Sequence, residues 1–461
     1  MDHTVEGDRP RRRRAGGALP MIGRRGRRAV LGLTALMVAG GLAACGSDSG
    51  SGDTPVLTWY INPDVSNLEP YVTDEDGNQQ PGGQAYLALQ CTEAAQGDYE
   101  IEVELLPNDA SQQREQLVRR LAAEDDSIDM MSLDPAFTAE FANAGFLEPM
   151  SSEQQSQLSE GMLEGAIDAA TYDDELVAVP LWSNTQILWY RKSVAEQAGL
   201  DMEQPVTWDQ IIDAAVQTDT TVSVQSKRYE GYSVWINALI SGAGGQIVED
   251  PEAGKDAKIT IDTPAGKAAA EVISKLANSP AAPAGMSNAD EGGTVATFSA
   301  DDGGFIVNWT YLYADPNVAG FIDDLAWARY PRTTDGDESR PPYGGINLGV
   351  SSYGKHTDLA YEAAACITSE ESQKTYALSS GNQPAREAAY DDPELTDAYP
   401  MADLWRESID AAAPRPLTPY WSDISTALYS SWHPPSSVDP DTTPAESQQY
   451  ITDVLQGQAL L

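Results

Sequence analysis

The sequence predicts an α/β fold of mostly parallel sheets flanked by helices, arranged as two lobes. Two observations carry that expectation. Stretches of period-two or continuous apolar character alternate with stretches of helical period, the order that builds parallel sheets from strand–helix–strand units. The chain is also 461 residues long, enough for more than one domain.

Taken in order, "PVLTWYINPD" from Pro55 reads as an alternating strand ending in a turn. Residues 68–83 are acidic and glycine-rich, follow neither period, and read as a surface insertion. A helix is expected around residues 86–95, followed by the strand "YEIEVELLP". The run "SQQREQLVRRLAAEDD" places Leu117, Val118 and Leu121 on one helical face. In "SIDMMSLDPAFTAEFANAG" a short apolar strand meets a turn at Asp134 and Pro135, and another helix follows. Ligands of such sheets sit beyond the carboxyl ends of strands, which is where Asp134 falls.

The first 53 residues read differently. Arg24, Arg25, Arg27 and Arg28 precede the uncharged sixteen-residue stretch "AVLGLTALMVAGGLAA", a basic region followed by an apolar one, as in a secretory signal. A membrane-spanning helix needs roughly twenty apolar residues, so this stretch is too short and too glycine-broken to span. Leu42, Ala43, Ala44 and Cys45 resemble the bacterial lipobox, in which the cysteine is lipidated after cleavage. The expectation is a signal peptide at 1–44, starting from Met1 or Met21, and a lipidated flexible tether at 45–53. An ordinary signal peptide with an incidental cysteine is the plainer alternative.

Residues 1–44 hold nine of the 28 Lys+Arg and three of the 71 Asp+Glu. The remaining 417 residues therefore carry 19 basic and 68 acidic side chains, a formal charge of −49. Such a charge excludes a nucleic-acid partner and keeps an exported protein soluble. Cys91 and Cys366 form an even pair outside the cytoplasm and read as a disulfide. Pairing across 275 residues requires the chain to return to its first lobe; two separate buried thiols are the alternative.

The middle of the chain carries "LVAVP", "ILWYRK", "EQAGL" and "PVTWDQIIDAA", and later "YGGINLGVSSYGKHTDLAYEAAACITSEESQKTYALSSGNQPAREAAYDDPEL". These runs resemble, in order, the strands, crossover, cap and helix openings of the extracellular solute-binding proteins, family 1, of ABC sugar importers. The resemblance implies a periplasmic-binding-protein-like fold with lobe 1 at 54–182, lobe 2 at 183–343, a return to lobe 1 at 344–382 and the rest of lobe 2 at 383–461. Three hinge crossings are expected, near 179–184, 342–345 and 380–386. It further implies a monomeric sugar receptor on the outer face of the cytoplasmic membrane, held there by lipid and delivering its ligand to permease subunits, with no cofactor and no catalytic residue.

Within that family, "SNTQILWYR", "VWINALISGAGG", "DEGGTVATF", "VNW", "GGINLGV" and "RPLTP" resemble the trehalose-binding lipoproteins of actinobacteria. That likeness implies sugar contacts at Asp134, Asn184, Glu291, Trp309 and Arg415 and at the backbone of Gly344 and Gly345. The residue types suit the chemistry, because a neutral disaccharide needs acceptors, bidentate partners and an aromatic platform. Each position also has a plainer role. Asp134 reads equally as a helix N-cap before Pro135, Asn184 as the cap of a crossover turn, Glu291 as a solvated acid, Trp309 as core, and Arg415 as half of a surface ion pair. After residue 44 the histidines are His356 and His433, too little for a histidine metal site or triad. A secreted glycoside hydrolase acting on an α-glucoside would use the same side-chain types and is the alternative function. A surface scaffold is disfavoured by the absence of repeats.

Overall fold

A computed structural model describes residues 54–461 apart from 65, 75 and 76. The expected signal peptide, Cys45 and the tether lie outside the described residues. The strands are β1 (Val56–Ile61), β2 (Tyr71–Thr73), β3 (Gln79–Pro81), β4 (Glu100–Leu105), β5 (Met130–Leu133), β6 (Thr171–Tyr172) and β7 (Glu175–Leu176). After them come β8 (Val179–Arg191), β9 (Thr221–Ser223), β10 (Val248–Glu249), β11 (Lys258–Ile259), β12 (Gly303–Trp309), β13 (Leu325–Ala328) and β14 (Tyr343–Val350).

Eight strands form one sheet, in the order β4-β1-β5-β14-β8-β12-β9, with β13 also paired to β8. The two ends are parallel: β1 runs parallel to β4 and β5, and β12 parallel to β9. Between them β14 and β8 run antiparallel to each other and to their outer neighbours. Helices cover both faces, so the central strands are buried on both sides and read as unbroken apolar runs.

β8 differs from the sequence expectation, which placed a crossover turn between "LVAVP" and "ILWYRK". The structure makes one strand of 13 residues, buried along all but its last residue. Its polar middle is satisfied by distant segments rather than by water. Ser183 pairs with the Tyr343 hydroxyl at 3.0 Å, Thr185 donates to the Pro342 carbonyl at 2.8 Å, and Gln186 donates to Gln225 at 3.2 Å. The first half of β8 pairs with β14 and the second half with β12 and β13, so this strand runs through both halves of the sheet.

One apolar core lies at the β4-β1-β5 end, around Leu57, Trp59, Leu87, Leu348 and Ala364. At the other end Trp208, Ile211, Trp235, Ile240, Phe305 and Leu428 belong to a larger cluster that continues to Leu117, Phe137 and Phe141. After β14 the helices Thr357–Ile367 and Glu370–Ser380 pack back on the first end. That return brings Cys366 to Cys91 of the helix Gly83–Ala94, and the two are joined by a disulfide with their Cα atoms 5.9 Å apart. Neither thiol should be alkylated in unreduced protein; peptide mapping that finds both modified would remove the bridge. Losing such a bridge typically costs about 2–5 kcal/mol, so reduction should lower the denaturation midpoint.

Residues 68–83, read from sequence as a surface insertion without a period, contain the antiparallel hairpin β2–β3. The exposed side chains are Tyr71 and Thr73 in β2 and Gln79 and Gln80 in β3, strands too short and too mixed to show an apolar alternation. The turn is held from within: the Asn78 amide donates to Asp74 Oδ1 at 2.8 Å, Gln80 donates to Asp74 Oδ2 at 2.9 Å, and Gly77 takes φ +86°. Tyr71 packs edge-on against Tyr86, with ring centroids 5.5 Å apart.

Candidate functional site

Asp134 stands at the carboxyl end of β5 and caps the helix Pro135–Asn143, where its Oδ1 accepts from the Ala136 amide at 2.9 Å. Capping leaves the carboxylate free for a second partner, and Arg415 takes it. Arg415 Nη2 donates to Asp134 Oδ1 at 2.6 Å, and Nη1 lies 3.4 Å from Oδ2. Arg415 is 4 % exposed, so its plainer role as a surface ion pair does not hold.

A third group completes this cluster. Glu230 opens the helix Glu230–Gly242, is 3 % exposed, and its Oε1 accepts from Arg415 Nη1 at 2.9 Å and from Trp421 Nε1 at 2.8 Å. Its Oε2 accepts from the Ser425 hydroxyl. Burial pushes the Glu230 carboxyl above its ordinary value, with Arg415 opposing that shift. Burial also works against the Arg415 charge, but Asp134 and Glu230 more than offset it and hold the guanidinium above its usual range.

Asn184 lies within β8 opposite Gly344 of β14. Its side chain ties three segments: Oδ1 accepts from Thr310 Oγ1 at 3.1 Å, and Nδ2 donates to Asn382 Oδ1 at 3.0 Å. Beside it Trp182 bridges to Pro384 and stacks on Tyr376, with centroids 4.6 Å apart. All three segments expected to cross between lobes therefore meet around Asn184.

Trp309 ends β12 opposite Gln186 and is half-buried. Its six-membered ring lies over Gly344, where a Cβ would come within 2.7 Å of it. At Gly345 the backbone takes φ +130°, and a Cβ would stand 2.2 Å from the Trp182 carbonyl oxygen. Glycine is required at Gly345, where the obstacle is backbone and φ is positive, whereas at Gly344 the obstacle is the Trp309 side chain.

Glu291 opens the helix Glu291–Phe298, one residue after the N-cap Asp290. Burial raises its carboxyl pKa, and the neighbouring Tyr229 hydroxyl works in the opposite sense. Asn308, next to Trp309, donates to the Glu291 carbonyl at 3.4 Å, which ties this helix to the end of β12. The Asp109 charge, at the N-cap of the helix Ala110–Leu121, also acts on Glu291 and raises its pKa further.

The expected site residues thus fall into two groups. Asp134 and Arg415 form one, around Glu230. Asn184, Gly344, Gly345 and Trp309 form the other along the β8–β14 ladder, with Glu291 attached through Asn308. Tyr343, next to Gly344, lies close to Ala136 and Arg415, between the two groups. Among the described residues no group of three or more His, Cys, Asp or Glu is placed to hold a metal ion.

Glu230 escaped the sequence reading, although a signal was present. In "EGYSVWINALISG" the polar residues Glu230, Ser233 and Asn237 recur at helical spacing on one face of an otherwise apolar helix. Such a stripe inside a buried helix marks polar partners elsewhere in the chain.

Residues 76–374 match the family model of the bacterial extracellular solute-binding proteins. A probable ABC transporter-binding protein of Deinococcus radiodurans is 26 % identical over 300 residues, covering 60 % of this chain and 69 % of its own. The diacetylchitobiose binding protein DasA of Streptomyces coelicolor is 23 % identical over 435 residues, 94 % of each chain. Among solved structures, maltose-bound MalE3 of T. maritima superposes with a TM-score of 0.74 at 22 % identity, over 88 % of this chain and all of its own.

Proposed function

Because the chain belongs to the bacterial extracellular solute-binding proteins, we propose that it captures a disaccharide such as trehalose outside the cell and delivers it to the permease subunits of an ABC importer. We infer further that it works as a monomer anchored to the membrane by lipid on Cys45. Its lobes would meet at 179–184, 342–345 and 380–386, with boundaries at 182/183, 343/344 and 382/383. The relatives named for diacetylchitobiose and maltose support a sugar ligand.

The observation that carries this reading is the half-buried indole of Trp309 beside Asn184 and the Gly344 backbone, where the three connecting segments meet. An apolar ring face next to neutral hydrogen-bonding groups suits the C–H face and hydroxyls of a sugar ring. Asp134, Glu291 and Arg415 would supply charged partners from both lobes. A ligand that touches both lobes favours their closed arrangement, since it gains contacts there that the open form lacks.

Calorimetry with trehalose and maltose tests the site. Glu291→Ala should weaken binding about tenfold to a hundredfold, as expected for one lost charge-assisted hydrogen bond. Trp309→Ala should weaken it as well, with thermal melts close to the parent for both. Glucose appearing in the same incubations would transfer the assignment to the glycoside hydrolase alternative. If both variants bind like the parent, the site is wrong; loss of binding to a different disaccharide would discard trehalose alone.

A further inference from the structure

We propose that Glu230 is a positioning residue for ligand capture: from its buried place beneath Arg415 it fixes the guanidinium so that it reaches Asp134 on the opposite lobe. This inference rests on the reading of the chain as a two-lobed solute receptor. Glu230 itself would touch no ligand, because the carboxylate is closed over by Arg415, Trp421 and Ser425.

The helix Glu230–Gly242 holds the arginine at two levels. Glu230 accepts from the guanidinium itself at 2.9 Å, and Asn237, on the same face two turns further on, donates to the Pro414 carbonyl at 3.2 Å. The segment before Arg415 is also tied to the start of β14, where the Tyr343 amide donates to the Ala413 carbonyl at 3.1 Å. Pro414 and Pro416 restrict the backbone on either side. Backbone and side chain of Arg415 are therefore both fixed from the second lobe.

What Arg415 then reaches is Asp134, which ends β5 in the first lobe. Both terminal nitrogens of the guanidinium are engaged by protein carboxylates, and its Nε is buried. In this geometry the arginine ties the lobes together, so closure is a second route, beside its proposed contact with the sugar, by which it acts on affinity. An arginine is suited to the task because its planar fork meets two carboxylates in fixed directions, which a lysine cannot do.

A double-mutant cycle separates positioning from a merely structural role. Glu230→Gln keeps an acceptor for Trp421 and removes the charge that orients Arg415. It should weaken binding of trehalose or maltose by about tenfold or more. In the Asp134→Asn background, where Arg415 has lost its target, the same substitution should change affinity by less than about twofold. Ser425→Ala, which removes one donor from the carboxylate, should show a smaller loss that also disappears in that background, and it serves should Glu230→Gln fail to fold.

Small-angle scattering of sugar-free protein supplies the independent reading, since Glu230→Gln should shift it toward larger dimensions. Affinity effects that add in the Asp134→Asn background, or unchanged affinity and scattering, would overturn the positioning role. If the parent binds neither sugar yet Glu230→Gln still opens the sugar-free protein, the sugar assignment fails and the positioning role stands.

Discussion

Arg415→Ala is expected to lower stability by about 3–5 kcal/mol, the range for removing one partner of a buried ion pair. The loss comes from the groups left behind. Glu230 is 3 % exposed and Asp134 is only partly exposed, and without Arg415 the two carboxylates face each other with no cation among their hydrogen-bond partners. The pH dependence follows in sign. Burial already raises the Glu230 pKa, and Arg415, with help from the Ser425 hydroxyl, opposes the shift. In the variant the folded state therefore holds a proton on Glu230 at a pH where the unfolded chain has released it. Stability then falls as pH rises from the ordinary glutamate range through the raised value. The deficit relative to the parent should be larger at neutral pH than near pH 5, as measured by urea unfolding at each pH. Asp134→Asn and Glu230→Gln combined with Arg415→Met should recover most of the stability, since a neutral cluster carries no uncompensated charge. That triple variant should still bind sugar poorly. An Arg415→Ala protein as stable as the parent at neutral pH would show that the cluster is more hydrated than its burial indicates.

The same cluster shows why some of this molecule could be read from sequence and some could not. β1 and β4 were legible because they pair close in sequence and each has one local period, and β5 because it is a short, wholly buried run before a turn. Asp134 was legible because an aspartate and a proline directly after a buried strand mark a helix N-cap at the carboxyl end of the sheet. β8 was not, because "WSNTQ" is polar and reads as a turn until Tyr343, Pro342 and Gln225 supply its partners. Periodicity records the faces of one element, whereas satisfaction of buried polar groups depends on segments far away in sequence, 160 residues for Ser183 and Tyr343 and 198 for Asn184 and Asn382. Glu230 was hidden for the same reason: its partners Arg415, Trp421 and Ser425 come from the far end of the chain. Trp309 was placed at a strand end by its apolar run, but its contact with Gly344 needed the β8–β14 and β8–β12 registers.

Gly345→Ala and Gly344→Ala, adjacent and chemically identical changes, should fail in different ways. At Gly345 the new Cβ would stand 2.2 Å from the Trp182 carbonyl oxygen, and φ is +130°. Neither problem has a cheap remedy. The obstructing atom is backbone in β8, where Trp182 pairs with Ile346 of β14 and bridges to Pro384, and relieving it means breaking the pairing of Gly345 with Ser183. Strain at such a φ costs about 1–3 kcal/mol, and forced overlap a further 1–3 kcal/mol or so. Gly345→Ala should therefore appear first as a loss of stability in denaturant unfolding. At Gly344 the Cβ would meet the Trp309 ring at 2.7 Å. That ring is half-buried and belongs to a side chain at a strand end, so it can swing aside, and the stability cost should lie near the low end of overpacking, about 1 kcal/mol. What moves is the apolar platform proposed for the sugar. Gly344→Ala should weaken binding by about threefold to tenfold, the value of one misplaced aromatic contact, while Trp309→Ala sets the limit for losing the contact altogether. Because ring displacement and ring removal act on one contact, Gly344→Ala should add almost nothing in the Trp309→Ala background. Full additivity there would mean that Gly344 serves the ligand through its own backbone and that the indole is not the platform.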